Sequence, residues 1–401
     1  MGKQQARELL RPQPPAPLAS SDSSDAGDRD NLSNWANLPS DLAQTISALL
    51  SDDVADFMRF RAVCGPWRRC TADPKEQEPS DRRFHPRRWI MLPPSSPRGG
   101  AAAGREFLNV RTAERVRMDL PLLAGHDVAG GPAPEGLLVL QDRRSREVRL
   151  LNPLTGLVAD LPPVTTLVRC SADWEEEERG GAVQHAGGSL WDEYKITAAG
   201  FTGDFTVLLY FGALELLCAS PVDGHRWEVV QRELRVAPSL QHGGLFTATV
   251  DDRFLTAAAE NRWLQQVLLL PCKVEIIGGD DDPEDYTVHM VDNDGELLVL
   301  VEARSGGGTE VLRVDLDAEP PVARRVAGLG DRALFVGSHK TVSVCVEQFP
   351  CVSANSIYFC HGSGHIMEIN IANKNSQPWI AEKGSVVHDL LSYVCHGHDG
   401  N

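Results

Sequence analysis

From about Arg87 onward, short runs of Val, Leu, Ile, Phe and Tyr alternate with turn-forming residues, and almost no stretch has the length and 3.6-residue period of a helix. This cadence restricts the fold more than any other feature of the chain. Strands are expected at 106–110 and 115–120 around a turn at 111–114, and at 136–140 and 147–151 before a turn at 152–156. The series continues at 205–211, 214–219, 227–230, 245–250 and 263–270. It resumes at 287–291, 296–301, 310–315, 333–336, 342–346, 356–359 and 366–371. Many antiparallel strands without crossover helices leave a sandwich, a closed barrel or a propeller. About 300 residues is too many for one sandwich, and units recurring every ~40–50 residues suit propeller blades. Six or seven blades fit the length at about 45 residues each.

The segment 35–69 is of another kind. Leu42, Ile46 and Leu49 recur at i, i+4 and i+7 after Leu38-Pro39, which places them on one face of a helix. Ser40 and Asp41 suit its entry, and Pro39 cannot sit in its interior. Ser51, Asp52 and Asp53 break the pattern and suit the start of a second helix. There Phe57, Phe60, Val63, Cys64 and Trp67 form an apolar stripe, with Arg59, Arg61, Arg68 and Arg69 expected to face away. A unit of roughly 35 residues is below the size at which one hydrophobic core normally suffices. Its surplus apolar surface is therefore covered by the rest of the chain or by a partner.

Leu38-Pro39, Asp41-Leu42, Ile46, the run from Arg59 to Cys64 and Trp67-Arg68 together resemble an F-box, the adaptor-binding module of Skp–cullin–F-box ubiquitin ligases. The resemblance implies that Leu38, Pro39, Leu42, Ile46, Val63, Cys64 and Trp67 pack against a Skp-type adaptor, and through it reach a cullin. Gly65-Pro66 departs from the family pattern, because polar or basic residues usually stand there within the last helix. Proline in a helix interior costs about 3 kcal/mol, so this helix is expected to kink or to begin later. A second resemblance lies in the β region. Gly136 to Leu140, Leu150 to Gly156 and Leu161-Pro162-Pro163 look like F-box-associated propellers. The string Gly330 to Gly337, then Ser343, Phe349-Pro350 and Asn355 to Phe359, is similar to the plant KIB-type β-propeller family, catalogued as a domain that follows an F-box. Read physically, that string is structural: Gly330-Asp331 makes a turn, Leu334 to Val336 a buried strand, and Asn355 a turn into another strand.

The expected organisation is a disordered leader (1–34), an F-box module (35–72), a charged, Pro-broken linker (73–86), a propeller domain (87–395) and a disordered tail (396–401). The fold class is mainly β, a C-terminal propeller preceded by a small three-helix module. A net charge of −17 argues against nucleic acid and against an anionic membrane surface as the principal ligand. No apolar run reaches spanning length and the N-terminus lacks a signal-peptide core, so a protein of the cytoplasm or nucleus is expected. Nine cysteines without a Cys-x-x-Cys pair fit a reducing compartment, with Cys218 and Cys345 as small buried hydrophobes. Cys64 with Cys70, and Cys345 with Cys351, are too widely spaced for a zinc knuckle.

Candidate chemistry is sparse. Cys360-His361 with His365, and Cys395-His396 with His398, are the Cys/His clusters; the first suits a solvent-facing hairpin tip better than a metal, and the second, at the frayed terminus, is a weaker metal candidate still. The acidic runs 173–178 and 280–285 lack the spaced ligands of a calcium loop. They read as solvated loops or as a docking charge for a basic partner. Asp292 to Gly295 also fails the calcium pattern. Arg82-Arg83 with Arg87-Arg88 suit a charged linker, or a nuclear address. No nucleophile elbow, phosphate-cradling loop or dinucleotide fingerprint occurs. Trp174 and Trp191, in or beside the acidic, Gly-rich insertion 172–190, are the aromatic candidates for a substrate anchor. Trp191 also fits the opening of a strand over 191–197.

The expectation is a non-catalytic, two-part adaptor without a cofactor. The helices dock on a Skp-type subunit and the propeller binds a protein target, raising its local concentration for ubiquitin transfer. The alternatives are a binding module with a degenerate F-box and a propeller enzyme, such as a glycoside hydrolase with paired carboxylates.

Overall fold

The computed structural model describes residues 35–51, 53–94, 104–130, 134–167, 193–202, 204–232, 286–303, 308–337, 340–360, 366–382 and 384–395. It also describes the backbone of 240–242, 245–250, 253–257 and 265–269. Three helices come first: α1 (Ser40–Leu50), α2 (Val54–Val63) and α3 (Gly65–Arg69). Pro39 stands at the N-cap of α1, where its missing N–H is harmless. Asp53 caps α2, its Oδ1 accepting from the Ala55 N–H at 2.9 Å. Cys64 is extended (φ −157°, ψ 164°), so α3 starts afresh with Pro66 in its first turn. The expected conflict at Gly65-Pro66 is thus relieved by a later helix start. It follows that Cys64 does not extend the α2 stripe.

The β region is a propeller of five blades with four or five strands each, and one three-stranded sheet. That sheet, β1 (Trp89–Met91), β2 (Gly104–Asn109) and β3 (Arg115–Asp119), precedes the blades. The first blade holds β4 (His126–Val128), β5 (Leu138–Asp142), β6 (Val148–Leu151) and β7 (Val158–Leu161). The second holds β8 (Ala198–Phe201), β9 (Thr206–Phe211), β10 (Leu216–Pro221) and β11 (Glu228–Gln231). The third holds β12 (Leu240–His242), β13 (Leu245–Val250), β14 (Arg253–Ala257) and β15 (Gln265–Leu269). The fourth holds β16 (Tyr286–Asp292), β17 (Leu297–Ala303), β18 (Thr309–Asp315) and β19 (Val322–Arg325). These four are simple antiparallel meanders. Five blades are fewer than the six or seven that fit the length at a uniform repeat of about 45 residues.

The fifth blade differs. β20 (Arg332–Val336) pairs antiparallel with β21 (Thr341–Cys345) and parallel with β22 (Ser356–Cys360), which continues into β23 (Ile366–Asn370) and β24 (Ser376–Trp379). Asn355 makes that crossover possible. Its backbone is left-handed (φ 60°), and its Oδ1 accepts from the Leu329 N–H at 2.6 Å and the Gly330 N–H at 3.0 Å. One side chain therefore stitches both turns of the 330–359 string, which is structural, as its residues imply.

The β1–β3 sheet sits between the fifth and first blades. Leu92 and Leu108 join a buried cluster with Phe335, Val344 and Tyr358, while Trp89, Met91 and Phe107 join Leu138, Leu140 and Leu151. A helix that the sequence reading did not expect, α4 (Val386–Cys395), seals this junction with Val387, Leu390, Leu391 and Val394. It approaches so closely that a Cβ on Gly337 would stand 1.9 Å from the Val394 carbonyl oxygen. Cys395 is disulfide-bonded to Cys360, 35 residues earlier, with the two Cα atoms 5.9 Å apart. Cys360 and Cys395, read from the sequence as members of two separate Cys/His clusters, are thus joined to each other. Cys218 is buried as expected, whereas Cys345 is only half-buried.

The expected linker 73–86 is packed. Phe84 and His85 are buried, and Asn152 donates from Nδ2 to the Phe84 carbonyl at 2.7 Å. Gly136 (φ 78°) leaves no room for a Cβ, which would lie 2.1 Å from the Pro86 oxygen. Arg61 does not face away from the core either. It is 6% exposed, its Nη1 donating to the carbonyls of Thr71 (2.8 Å) and Ala72 (2.5 Å) and its Nη2 to Asp73 Oδ2 (2.8 Å). The chain after α3 turns back across α2 and offers carbonyls that a guanidinium can collect.

Candidate functional site

On α1, Ala43 and Ser47 are buried, and the apolar residues of the i, i+4, i+7 stripe are not. Leu42 is 49% exposed and Leu49 77% exposed, while Ile46 is half-buried. At the end of α2, Val63 is 61% exposed, and Trp35 at the start of the module is equally open. Pro39 is exposed, and Leu38, Cys64 and Trp67 are half-buried. The Trp35 carbonyl accepts from both the Leu38 N–H (3.2 Å) and Trp67 Nε1 (2.9 Å), which joins the entry of α1 to α3. Trp67 in turn stacks on Phe60 with ring centroids 4.4 Å apart. Leu38, Pro39 and Trp67 are thus brought into one neighbourhood, bordered by the exposed Arg68 and Arg69. Trp35 and Leu49 belong to the same exposed apolar set. Leu49 was legible from its i+7 spacing, whereas Trp35 carried no periodic signal.

The other side of the module is closed. Asp53 Oδ1 accepts from Trp89 Nε1 at 3.0 Å and its Oδ2 from Asn109 Nδ2 at 2.7 Å. Val54, Ala55 and Phe57 share one buried cluster with Phe84, Trp89, Phe107, Leu138 and Leu140. Arg59 is hydrogen-bonded to Asp56 at 2.7 Å and to Glu114. Next to this junction Glu135, in a left-handed backbone (φ 51°), is hydrogen-bonded to His85 Nδ1 and lies 3.5–3.6 Å from Arg87 and Arg82. Burial pushes the Glu135 carboxyl up. The hydrogen bond from His85 and the charges of His85, Arg87 and Arg82 outweigh it, holding the group below the usual carboxylate range. Arg82, Arg83 and Arg87 are therefore engaged in ion pairs, Arg83 with Asp81 at 2.6 Å.

Several sequence candidates, Trp174, Trp191, the acidic runs 173–178 and 280–285, and His361, His365, His396 and His398, lie outside the described residues. Of the strand considered for 191–197, the described residues 193–197 are not in a strand, and β8 begins at Ala198. Among the described residues no group of three or more His, Cys, Asp or Glu side chains is placed to hold a metal ion. Nor is any helix there long and apolar enough to cross a membrane.

These features define a β-propeller protein, of a kind suited to protein binding, that carries a helical module with an open apolar face. The model of the KIB1-4 beta-propeller family matches residues 107–386, and the chain belongs to that family. No curated protein matches it. Among solved structures it is similar to selenomethionine-substituted virginiamycin B lyase from Staphylococcus aureus, with 8% identity, 70% of this chain and 78% of that chain covered, and a TM-score of 0.34. It is similar also to a chain of the nidogen/laminin complex (9% identity, 73% and 93% covered, TM-score 0.35). A third is the structure of YCF48 bound to D1 peptide (10% identity, 73% and 86% covered, TM-score 0.31). At these TM-scores the likenesses carry no inference about what this chain binds.

Proposed function

We propose that the chain is a substrate-recognition subunit of a Skp–cullin–F-box ubiquitin ligase, working in the cytoplasm or nucleus. Helix α1 and its neighbours dock on a Skp-type adaptor, and the propeller binds the protein to be modified. The observation that carries this reading is the exposure of Leu42, Leu49 and Val63 on a module whose other side is fully packed. Apolar side chains so exposed on adjoining elements mark a protein-interaction surface. Pro66, the departure that argued for a degenerate module, sits in the first turn of α3 and leaves that helix intact. The chain itself performs no bond chemistry in this scheme. It raises the effective concentration of target lysines at the conjugating enzyme.

Co-expression with a Skp-type adaptor, followed by size-exclusion chromatography with light scattering, tests the proposal. A one-to-one complex is expected, and the Leu38→Ala/Pro39→Ala double variant is expected to lose it while unfolding at the wild-type temperature. A wild-type chain eluting alone would contradict the reading.

A further inference from the structure

The buried polar junction between the helical module and the propeller is centred on Asp53, with the more exposed Arg59–Glu114 pair beside it. Asp53 takes three donors from three elements: the Ala55 N–H of α2, the Trp89 indole of β1 and the Asn109 amide of β2. Trp89 is 3% exposed and Asn109 0%, so both lost water on folding, and each would be left unsatisfied without the carboxylate. The orientation of the Asn109 amide is fixed independently. Its Oδ1 accepts from the Arg111 N–H at 2.9 Å and the Thr112 N–H at 3.2 Å, which leaves Nδ2 to point at Asp53. Around this hub Phe57, Phe84, Trp89 and Phe107 form one apolar cluster, and Arg59 reaches Glu114 in the turn between β2 and β3. Arg61 pins the chain leaving α3, and the Phe84 carbonyl is held by Asn152 of the first blade.

We infer that Asp53 is a positioning residue that joins the helical module to the propeller as one rigid unit, so that a partner docked on α1 stands in a fixed orientation to the propeller. The clause about the partner rests on the adaptor reading above; the junction itself does not. A module tethered by a flexible segment would let the two docked proteins sample many relative positions. A rigid one removes that freedom and confines which target lysines can be reached.

The hydrogen-bond pattern permits a swap. In Asp53→Asn one carboxylate oxygen becomes an NH2 that faces the Asn109 NH2, donor against donor. In Asn109→Asp two carboxylates face each other. In the double variant Asp53→Asn/Asn109→Asp the asparagine NH2 donates to the new carboxylate. That carboxylate still accepts from the Arg111 and Thr112 N–H groups, and the amide oxygen at 53 still serves Ala55 and Trp89.

The experiment is calorimetric unfolding of the full chain in all four forms, with small-angle scattering of each in complex with the Skp-type adaptor. The wild type is expected to unfold the helices and the β1–β3 sheet in one transition. Each single variant is expected to lower or split that transition, and the double variant to recover most of the loss, a non-additive cycle. Adaptor affinity should vary by less than about threefold among the four, because the α1 face is untouched, while the scattering envelope broadens in the single variants alone. Losses that add in the double variant, or a wild type whose helices melt apart from the propeller, would overturn the inference. If the single variants fail to fold, recovery of folding in the double still supports it and failure of the double still overturns it. Failure of the adaptor reading would look different: no form would bind adaptor, yet the calorimetric coupling would stand.

Discussion

Helices α1 and α2 are nearly equal in length, eleven and ten residues, yet they meet their surroundings in opposite ways. Helix α1 buries Ala43 and Ser47 and leaves Leu42 and Leu49 open. Helix α2 buries Val54, Ala55, Phe57, Phe60 and Arg61, with Trp67 of α3 stacked on one side and the propeller core against the other. A small module cannot bury apolar surface on every face. Here the second helix has joined the core of a larger domain, which frees the first to carry its apolar residues outward. The difference teaches that the helices are not an independent unit hung on a linker. They are a ledge of the propeller with one unfinished face.

The contrast can be broken most severely at Phe57, 4% exposed at the centre of the shared cluster. Phe57→Ala should cost about 3–5 kcal/mol and lower the temperature of the main unfolding transition. If α2 were a detachable module, the propeller transition would stay where it was. Next comes the closure at α4. Breaking the Cys360–Cys395 pair, by Cys360→Ser or by reductant, removes a 35-residue cross-link and should cost roughly 3 kcal/mol in denaturant unfolding, with adaptor capture unchanged.

A smaller effect is expected at Glu135. Its folded-state carboxyl is held below the ordinary value, so its contribution is complete above that value and is lost as the pH falls through the lowered one. Glu135→Gln should therefore flatten the acid limb of the stability curve, with the largest loss of stability at neutral pH, where the carboxylate's contribution is complete, and little loss in acid below the lowered value. The mildest stability change is expected on α1, where Leu42→Ser and Leu49→Ser should each shift unfolding by less than about 0.5 kcal/mol. A large loss at either position would mean that the face is covered within the chain, and the comparison would fail.

Much of this was legible in the sequence, and the reasons for the remainder are physical. Strands rich in β-branched and apolar residues on a buried sheet stand out, and the run 245–250 coincides with β13. The strands β4 (His-Asp-Val), β19 (Val-Ala-Arg-Arg) and β24 (Ser-Gln-Pro-Trp) do not, because they are short, polar and defined by their partners rather than by their own pattern. Helix α4 escaped for the opposite reason. Its Val386, Val387, Leu390, Leu391 and Val394 read equally as a buried strand, and periodicity over ten residues does not separate the two. The cap at Asp53 was visible locally. Its partners Trp89 and Asn109 lie 36 and 56 residues away, so its second role was not. Arg61 misled because charge predicts exposure unless the fold supplies carbonyls, and only the path of 68–73 reveals them.

Native-state hydrogen exchange, read helix by helix on the full chain with and without a Skp-type adaptor, is the most direct test of this division. The account predicts that α2 amides exchange as slowly as those of the β1–β3 sheet in the free protein, through global unfolding alone. It predicts that α1 exchanges faster and becomes protected when the adaptor binds. If α1 and α2 exchange together, faster than the sheet and unaffected by the adaptor, the helices are a loose appendage and the account is wrong.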